Sequence, residues 1–257
     1  MDAATADRYL ARIGAARAPH RSPEALRDLQ VAHLHTVPFE NLSIHLGEPV
    51  DLDEDALVDK IVTRRRGGFC YELNGLFAAL LRSLGYRVTL MQARVPGNNG
   101  PAIPFDHLTL RVDLDEPWLV DVGFGKFTQH PLRIDERGEQ VDPDGAYTVA
   151  EVEYGDFEVR REGACEFIVD PRPRKIAEFV PTCWWHQTSP KSHFTKGDVC
   201  SMPVDGGRVT LRKGQLIRTA GDERTVETFD GDAELLAAYR SIFGIELPRL
   251  PGKTPNA

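Results

Sequence analysis

The chain has 257 residues, long enough to bury a sizeable core and to divide into one to three domains. Lys plus Arg number 31 against 39 Asp plus Glu, a formal net charge of -8, which argues against non-specific nucleic-acid binding and polybasic membrane attachment. With 41% hydrophobic and 27% charged residues, the composition is that of a globular protein, neither disordered nor fibrous.

The N-terminal stretch MDAATADRYL has neither the basic region nor the apolar run of a secretion signal, and no apolar run approaches the length of a membrane span. A cytoplasmic protein without membrane attachment is expected. In that compartment the four cysteines, Cys70, Cys165, Cys183 and Cys200, are expected as free thiols.

The first third reads as helical. Ser22-Pro23-Glu24 is an N-cap with proline at the first helical position, followed by Leu26, Leu29, His33 and Val37 on one face, and Val37-Pro38 closes the helix. A second helix begins near Asp53, carries Leu57, Val58, Ile61 and Val62, and finishes in Arg64, Arg65 and Arg66 before Gly67-Gly68. A third runs from Cys70 through Leu73, Leu76, Phe77, Leu80, Leu81 and Leu84 and stops at Gly85. The period then changes to two, with strands at Tyr86 to Leu90, His107 to Val112 and Trp118 to Val122, and further strands at Tyr147 to Tyr154, Phe157 to Arg161 and Glu166 to Val169. Consecutive strands without intervening helices point to an antiparallel sandwich or barrel. After Ser189-Pro190 a smaller unit follows, in which Val209 to Leu211 and Gln215 to Ile217 flank a Lys213-Gly214 turn and Asp232 to Phe243 forms a helix ending at Gly244. The proline-rich tail after Leu247 reads as a surface-hugging or frayed end.

Cys70 stands at the start of an apolar helix, where unpaired backbone N–H groups and the helix dipole favour a thiolate. The plain alternative is a small buried residue, because free cysteines are mostly buried. A partner decides between the two. His107 opens an apolar strand, and Asp121 lies inside the apolar strand Leu119-Val120-Asp121-Val122 that follows the next turn, so the two can meet across a hairpin. An imidazole donating one N–H to a buried carboxylate is held in one tautomer, and its other nitrogen is free to take a thiol proton. Metal ligation is poorly supported, since His33 with His35 and Cys183 with His186 are isolated pairs while a structural zinc needs four ligands. Gly67-Gly68 lacks the spacing of a phosphate loop.

Arg66-Gly67-Gly68-Phe69-Cys70-Tyr71-Glu72-Leu73-Asn74-Gly75-Leu76-Phe77 resembles the catalytic-cysteine signature of the arylamine N-acetyltransferases. Thr36 to Leu42, Leu119 to Gly125 and Ser189 to Phe194 resemble three further segments of that family, in the same order. The resemblance implies an α+β fold with a cysteine-protease-like Cys-His-Asp core. Residues 1–85 would form an N-terminal helical bundle carrying the nucleophile, 86–188 a central antiparallel β-barrel carrying His107 and Asp121, and 189–257 a C-terminal α/β lid. It implies acetyl transfer from acetyl-CoA as co-substrate, with no metal, through a Cys70 thioester to an aromatic amine, hydrazine or hydroxylamine. By the same resemblance Phe124 lines the acceptor pocket, with Phe39, Tyr71 and Phe194 completing an aromatic wall, and Gly125 and Thr109 lie at the cofactor. If the strand after Asp121 continues, Phe124, Lys126 and Thr128 share one side of it. The backbone N–H groups at the helix start, including that of Tyr71, are candidate oxyanion donors.

Asp106 directly before His107 is a departure, since many relatives carry a hydroxyl residue there, and a carboxylate beside the base raises an imidazolium pKa. Arg64 to Arg66 read as a solvated helix end, with Arg66 pairing Glu40 as the resemblance suggests, in preference to a phosphate clamp. Gly97 to Pro104 offers no lysine or arginine for the CoA phosphates. Oligomeric state stays open, as no heptad or apolar stripe stands out. The alternatives are an amide synthase releasing a carrier-bound polyketide as a macrolactam, a cysteine hydrolase or transglutaminase-like enzyme, and a non-catalytic binding module.

Overall fold

A computed structural model describes residues 1–97 and 103–252. Part of the Gly97 to Pro104 segment, and the tail beyond Gly252, therefore lie outside the described residues. The chain opens with α1 (Ala3–Ile13), whose Asp2 cap accepts from the Thr5 N–H at 2.8 Å and which buries Ala6, Tyr9, Leu10 and Ile13. This helix is absent from the sequence reading, because five of its seven apolar positions are alanine or tyrosine and only Leu10 and Ile13 mark a strong apolar face. In α2 (Pro23–Leu34), Ser22 Oγ caps the Ala25 N–H at 3.2 Å as expected, but the helix stops at Leu34 and Val37 is buried outside it.

Two short elements follow, β1 (Phe39–Glu40) and α3 (Leu42–Leu46). The helix read from Asp53 to Arg66 is shorter and changes pitch: α4 (Glu54–Val58) passes into a π-helical turn over Asp59–Thr63, and Arg65 at φ 54° ends it. Leu57, Val58, Ile61 and Val62 face the core as their spacing indicates. The next helix, α5 (Cys70–Ser83), matches its sequence reading closely, with Leu73, Leu76, Phe77, Leu80 and Leu81 all fully buried.

Eight strands then form one antiparallel sheet: β2 (Arg87–Arg94), β3 (His107–Asp113), β4 (Pro117–Val120), β5 (Leu132–Arg133), β6 (Gln140–Asp142), β7 (Gly145–Glu151), β8 (Phe157–Arg161) and β9 (Ala164–Arg174). Their order is β5-β4-β3-β2-β9-β8-β7-β6. The two edges are joined by the Gln140 side chain, which accepts from the Arg133 N–H at 2.7 Å and donates to the Arg133 carbonyl at 3.0 Å, so the sheet closes almost completely into a barrel. One side of β2–β4 packs on α5 through Leu90, Leu108, Leu110, Val112 and Val120. The barrel interior holds Met91, Leu119, Phe127, Tyr147, Val159 and Phe167. Residues 107–110 are buried without alternation because both faces of β3 are covered.

After α6 (Val180–Thr188) come β10 (Cys200–Val204), β11 (Gly207–Arg212), β12 (Gln215–Ala220), β13 (Glu223–Thr228) and α7 (Asp232–Phe243). The turn at Lys213-Gly214 and the bounds of α7 agree with the sequence reading. The sheet order is β1-β10-β11-β12-β13, with Phe39 opposite Ser201 and Glu40 opposite Cys200. An N-terminal strand thus begins the C-terminal sheet, and Leu42 and Leu46 share a core with Val209, Leu211, Tyr239 and Phe243. None of the helices among the described residues is long and apolar enough to cross a membrane.

Candidate active site

Cys70 is the first residue of α5, and the turn before it is tightly built. A side chain on Gly67 would fall 1.9 Å from the Pro38 carbonyl oxygen, and the Glu40 N–H donates to the Gly68 carbonyl at 2.8 Å. Glu72 reaches back from the first turn to accept from the Phe69 N–H at 3.1 Å, and its other oxygen lies 2.6 Å from Lys60 Nζ. Arg64 and Arg65 are exposed as read, whereas Arg66 pairs Glu40 as the resemblance suggested but is no part of a solvated end. It is buried, with Nε 2.9 Å from Glu40 Oε1 and Nη2 3.2 Å from Glu40 Oε2, while Nη1 reaches Glu48 at 3.3 Å. Burial opposes ionisation of Glu40, yet Lys60 and Arg66 beside it hold its carboxyl below the usual range.

Asp121 lies just past the end of β4, not inside the strand, and the continuation through Phe124, Lys126 and Thr128 is a loop. That loop is fastened by Asp142, which accepts from Thr128 Oγ1 at 2.7 Å and from the His130 N–H at 2.8 Å. Leaving the ladder lets the Asp121 side chain turn towards the first residue of β3. His107 Nε2 and Asp121 Oδ2 are 2.5 Å apart, with both side chains buried. The other oxygen, Oδ1, accepts from Asn74 Nδ2 and from the Gly123 N–H, each at 2.9 Å. Burial works against the Asp121 charge, but His107, Asn74 and Gly123 together hold its carboxyl below the usual range.

Asn74 and Gln30 escaped the sequence reading. Asn74 stands one helical turn after Cys70, so both point the same way, and it also donates to the Leu108 carbonyl at 2.7 Å and accepts from the Val122 N–H at 2.9 Å. Gln30 accepts from the Asp121 N–H at 3.3 Å. The signal for both was a polar residue beside or within an apolar stripe. Gly123 is needed for closeness, since a Cβ there would sit 2.7 Å from the Cys70 Cα.

Cys70 departs from expectation in its electrostatics. Burial pushes the thiol well up, a hydrogen bond from the Leu108 backbone opposes this, and the charges of Asp106 and Asp121 push it further.

Cys70 and His107 line one cavity of about 360 Å³ with Phe39, Phe124, His193 and Phe194 as walls and Asn41, Asp198 and Arg212 among the other lining groups. The Phe124 ring stands edge-on to His107 with centroids 5.0 Å apart. Of the expected pocket residues, the structure brings together Phe39, Phe124 and Phe194 and leaves out Tyr71, Gly125 and Thr109. Tyr71 is fully buried, and its hydroxyl reaches the carbonyls of Phe105 and Asp106 at 2.7 and 3.1 Å. Thr109 is buried on β3 with its hydroxyl 3.4 Å from the Val120 carbonyl. Gly125 makes room for the Phe39 ring, which a Cβ would meet at 3.4 Å. Asp106 Oδ1 lies 3.1 Å from His186 Nε2, outside hydrogen-bond geometry. Among the described residues no group of three or more His, Cys, Asp or Glu is placed to hold a metal. His33 and His35 are engaged separately, by the Tyr9 hydroxyl and by Gln129.

Comparison with known proteins gives consistent results. An N-acetyltransferase family model matches residues 23–250. The arylamine N-acetyltransferase of Mycolicibacterium smegmatis is 36% identical over 97% of this chain and 94% of its own length. Among solved structures, the Salmonella typhimurium arylamine N-acetyltransferase superposes with a TM-score of 0.87 at 30% identity, covering 95% of this chain and 92% of its own. The Mycobacterium marinum enzyme in complex with CoA superposes with a TM-score of 0.85 at 31% identity, covering 93% of this chain and 92% of its own.

Proposed function

The chain belongs to the arylamine N-acetyltransferase family, and from that premise we propose that Cys70, His107 and Asp121 carry an acetyl group from acetyl-CoA to an aromatic amine or hydrazine in two stages. The observation that supports this most is the 2.5 Å contact between His107 Nε2 and Asp121, beside a cavity that His107 shares with Cys70. Asp121 accepts a hydrogen bond from Nε2–H and so leaves Nδ1 as the base.

In the first stage Nδ1 takes the Cys70 proton while Sγ bonds to the thioester carbonyl carbon. The carbon–sulfur bond to CoA then breaks, and the leaving thiolate collects the proton from the imidazolium. In the second stage the acceptor nitrogen bonds to the acetyl carbon, Nδ1 takes its proton, and Sγ leaves and is reprotonated. The Glu72 and Leu73 N–H groups are engaged by the Phe69 carbonyl at 3.0 Å, which leaves the N–H groups of Cys70 and Tyr71 at the start of α5 as the candidate oxyanion donors. Phe39, Phe124 and Phe194 give a planar acceptor an apolar slot and keep water from the acetyl-cysteine. Arg212, exposed at the cavity, offers a cation to the CoA phosphates. The relatives named above are arylamine enzymes, which favours this reading over the amide synthase. A cytoplasmic location fits the reduced state of all four cysteines.

Initial rates at several fixed acetyl-CoA concentrations test the two-stage reading. Parallel double-reciprocal lines against arylamine are expected, and intersecting lines would overturn it.

A further inference from the structure

We propose that Asp106 sets the charge class of the acceptor: fixed in the wall of the cavity, its carboxylate favours neutral or cationic arylamines and hydrazines and discriminates against arylamines that carry a carboxylate. The inference rests on the acetyl-transfer reading and adds the acceptor's charge to it.

Asp106 lines the same cavity as Cys70 and His107. Its backbone cannot swing away. The Tyr71 hydroxyl reaches the carbonyls on either side of the Phe105–Asp106 link, and the Phe105 N–H donates to Gln92 Oε1 at 3.1 Å. Phe105 itself holds φ 59°, a left-handed conformation that a phenylalanine keeps only when its surroundings enforce it. The side chain, 16% exposed, lies with Oδ1 3.1 Å from His186 Nε2. His186 is in turn oriented by Ser192 Oγ, 3.1 Å from its Nδ1, and by the rings of Tyr71, Trp185 and Phe194.

A carboxylate held this way among aromatic walls is poorly screened, so it repels a second carboxylate and attracts N–H groups across the cavity. Its charge already reaches the Cys70 thiol, which it helps to raise. The lining holds two other charged side chains, and one of them, Asp198, is a second carboxylate. Asp198 is engaged by the Tyr239 hydroxyl at 3.1 Å, and Arg212 is exposed to solvent.

The test measures kcat/KM for 4-aminobenzoate and 4-aminobenzamide, planar arylamines of similar shape that differ in one charge. The readout is the ratio of the two values, in which a general loss of activity cancels. Asp106→Asn is expected to raise the benzoate-to-benzamide ratio about tenfold, equivalent to about 1.4 kcal/mol, while Asp106→Glu, which keeps the charge, leaves the ratio near wild type. An unmoved ratio in Asp106→Asn overturns the proposal. Should that variant fail to fold, Asp106→Ser is judged by the same ratio. Formation of acetyl-Cys70 without transfer to either amine would overturn the acceptor assignment, whereas failure to form acetyl-Cys70 would overturn the acetyl-transfer reading itself.

Discussion

Burial and two nearby carboxylates push the Cys70 thiol up, so in the proposed mechanism its reactivity depends on how well His107 is poised to take the proton. That poise comes from Asp121, whose remaining oxygen is occupied by Asn74 and Gly123. Asp121→Asn would keep the shape but allow the wrong tautomer, and kcat/KM is expected to fall about a thousandfold to ten-thousandfold with little change in melting temperature. Initial rates alongside a thermal melt check this, and a loss under about tenfold would contradict it. A second outcome concerns stability. Burial, and then the Arg12 charge, lower the pKa of His33 from 6.5 to about 3. The folded protein therefore binds fewer protons than the unfolded chain between these values, and the contribution present above about pH 6.5 is lost as the pH falls towards 3. Unfolding free energies of wild type and His33→Gln, from urea titrations, should converge on acidification by up to about 1.4 kcal/mol per pH unit; parallel profiles would contradict the assignment. At this scale Cys70, His107 and Asp121 stood out as candidates, because a cysteine at a helix start, a histidine at a strand start and an aspartate among apolar residues are each anomalous in place. Gln30, Asn74 and His186 were not, since each takes its role from a partner far away in the chain.

The elements place these residues through a few connections. α5 supplies Cys70 and Asn74 from one face, and the β3–β4 hairpin supplies His107 and Asp121. The buried Arg66–Glu40 pair ties the turn before α5 to β1, which carries Phe39 into the cavity wall. Removing one partner strands the other as a buried charge, so Arg66→Ala is expected to destabilise the protein by about 3–5 kcal/mol, seen as a melting temperature lower by roughly ten degrees or more. A shift of only a degree or two would show the pair to be dispensable. Strong periodicity made α5 and α7 readable to within a residue and the β11–β12 hairpin to within three. The ends of α2 and α4 and the exit of β4 were misread because tertiary partners decide them: Asp142 holds the loop after Asp121, and the π-helical turn before Arg66 breaks a spacing that otherwise continues.

For the molecule as a whole, the C-terminal sheet is stitched into the rest of the chain. Its edge strand β1 comes from residues 39–40, its core includes Leu42 and Leu46, and it contributes Arg212 to the cavity. A chain ending at Thr188 would uncover that core and lose the wall formed by His193 and Phe194. It is expected to lose its cooperative melt as well as acetyl-CoA turnover, and a folded truncation with unchanged turnover would contradict this. Such pairing of distant segments is invisible to local pattern, which is why the order of helices, barrel and mixed unit could be read while the strand joining the first to the last could not. The central claim, that acetyl passes through Cys70, is tested most directly by the intact mass of the protein after mixing with acetyl-CoA and no acceptor. A single acetyl adduct is expected, absent in Cys70→Ala and discharged on adding an arylamine; folded protein with a free Cys70 thiol that gains no adduct and releases no CoA would contradict it.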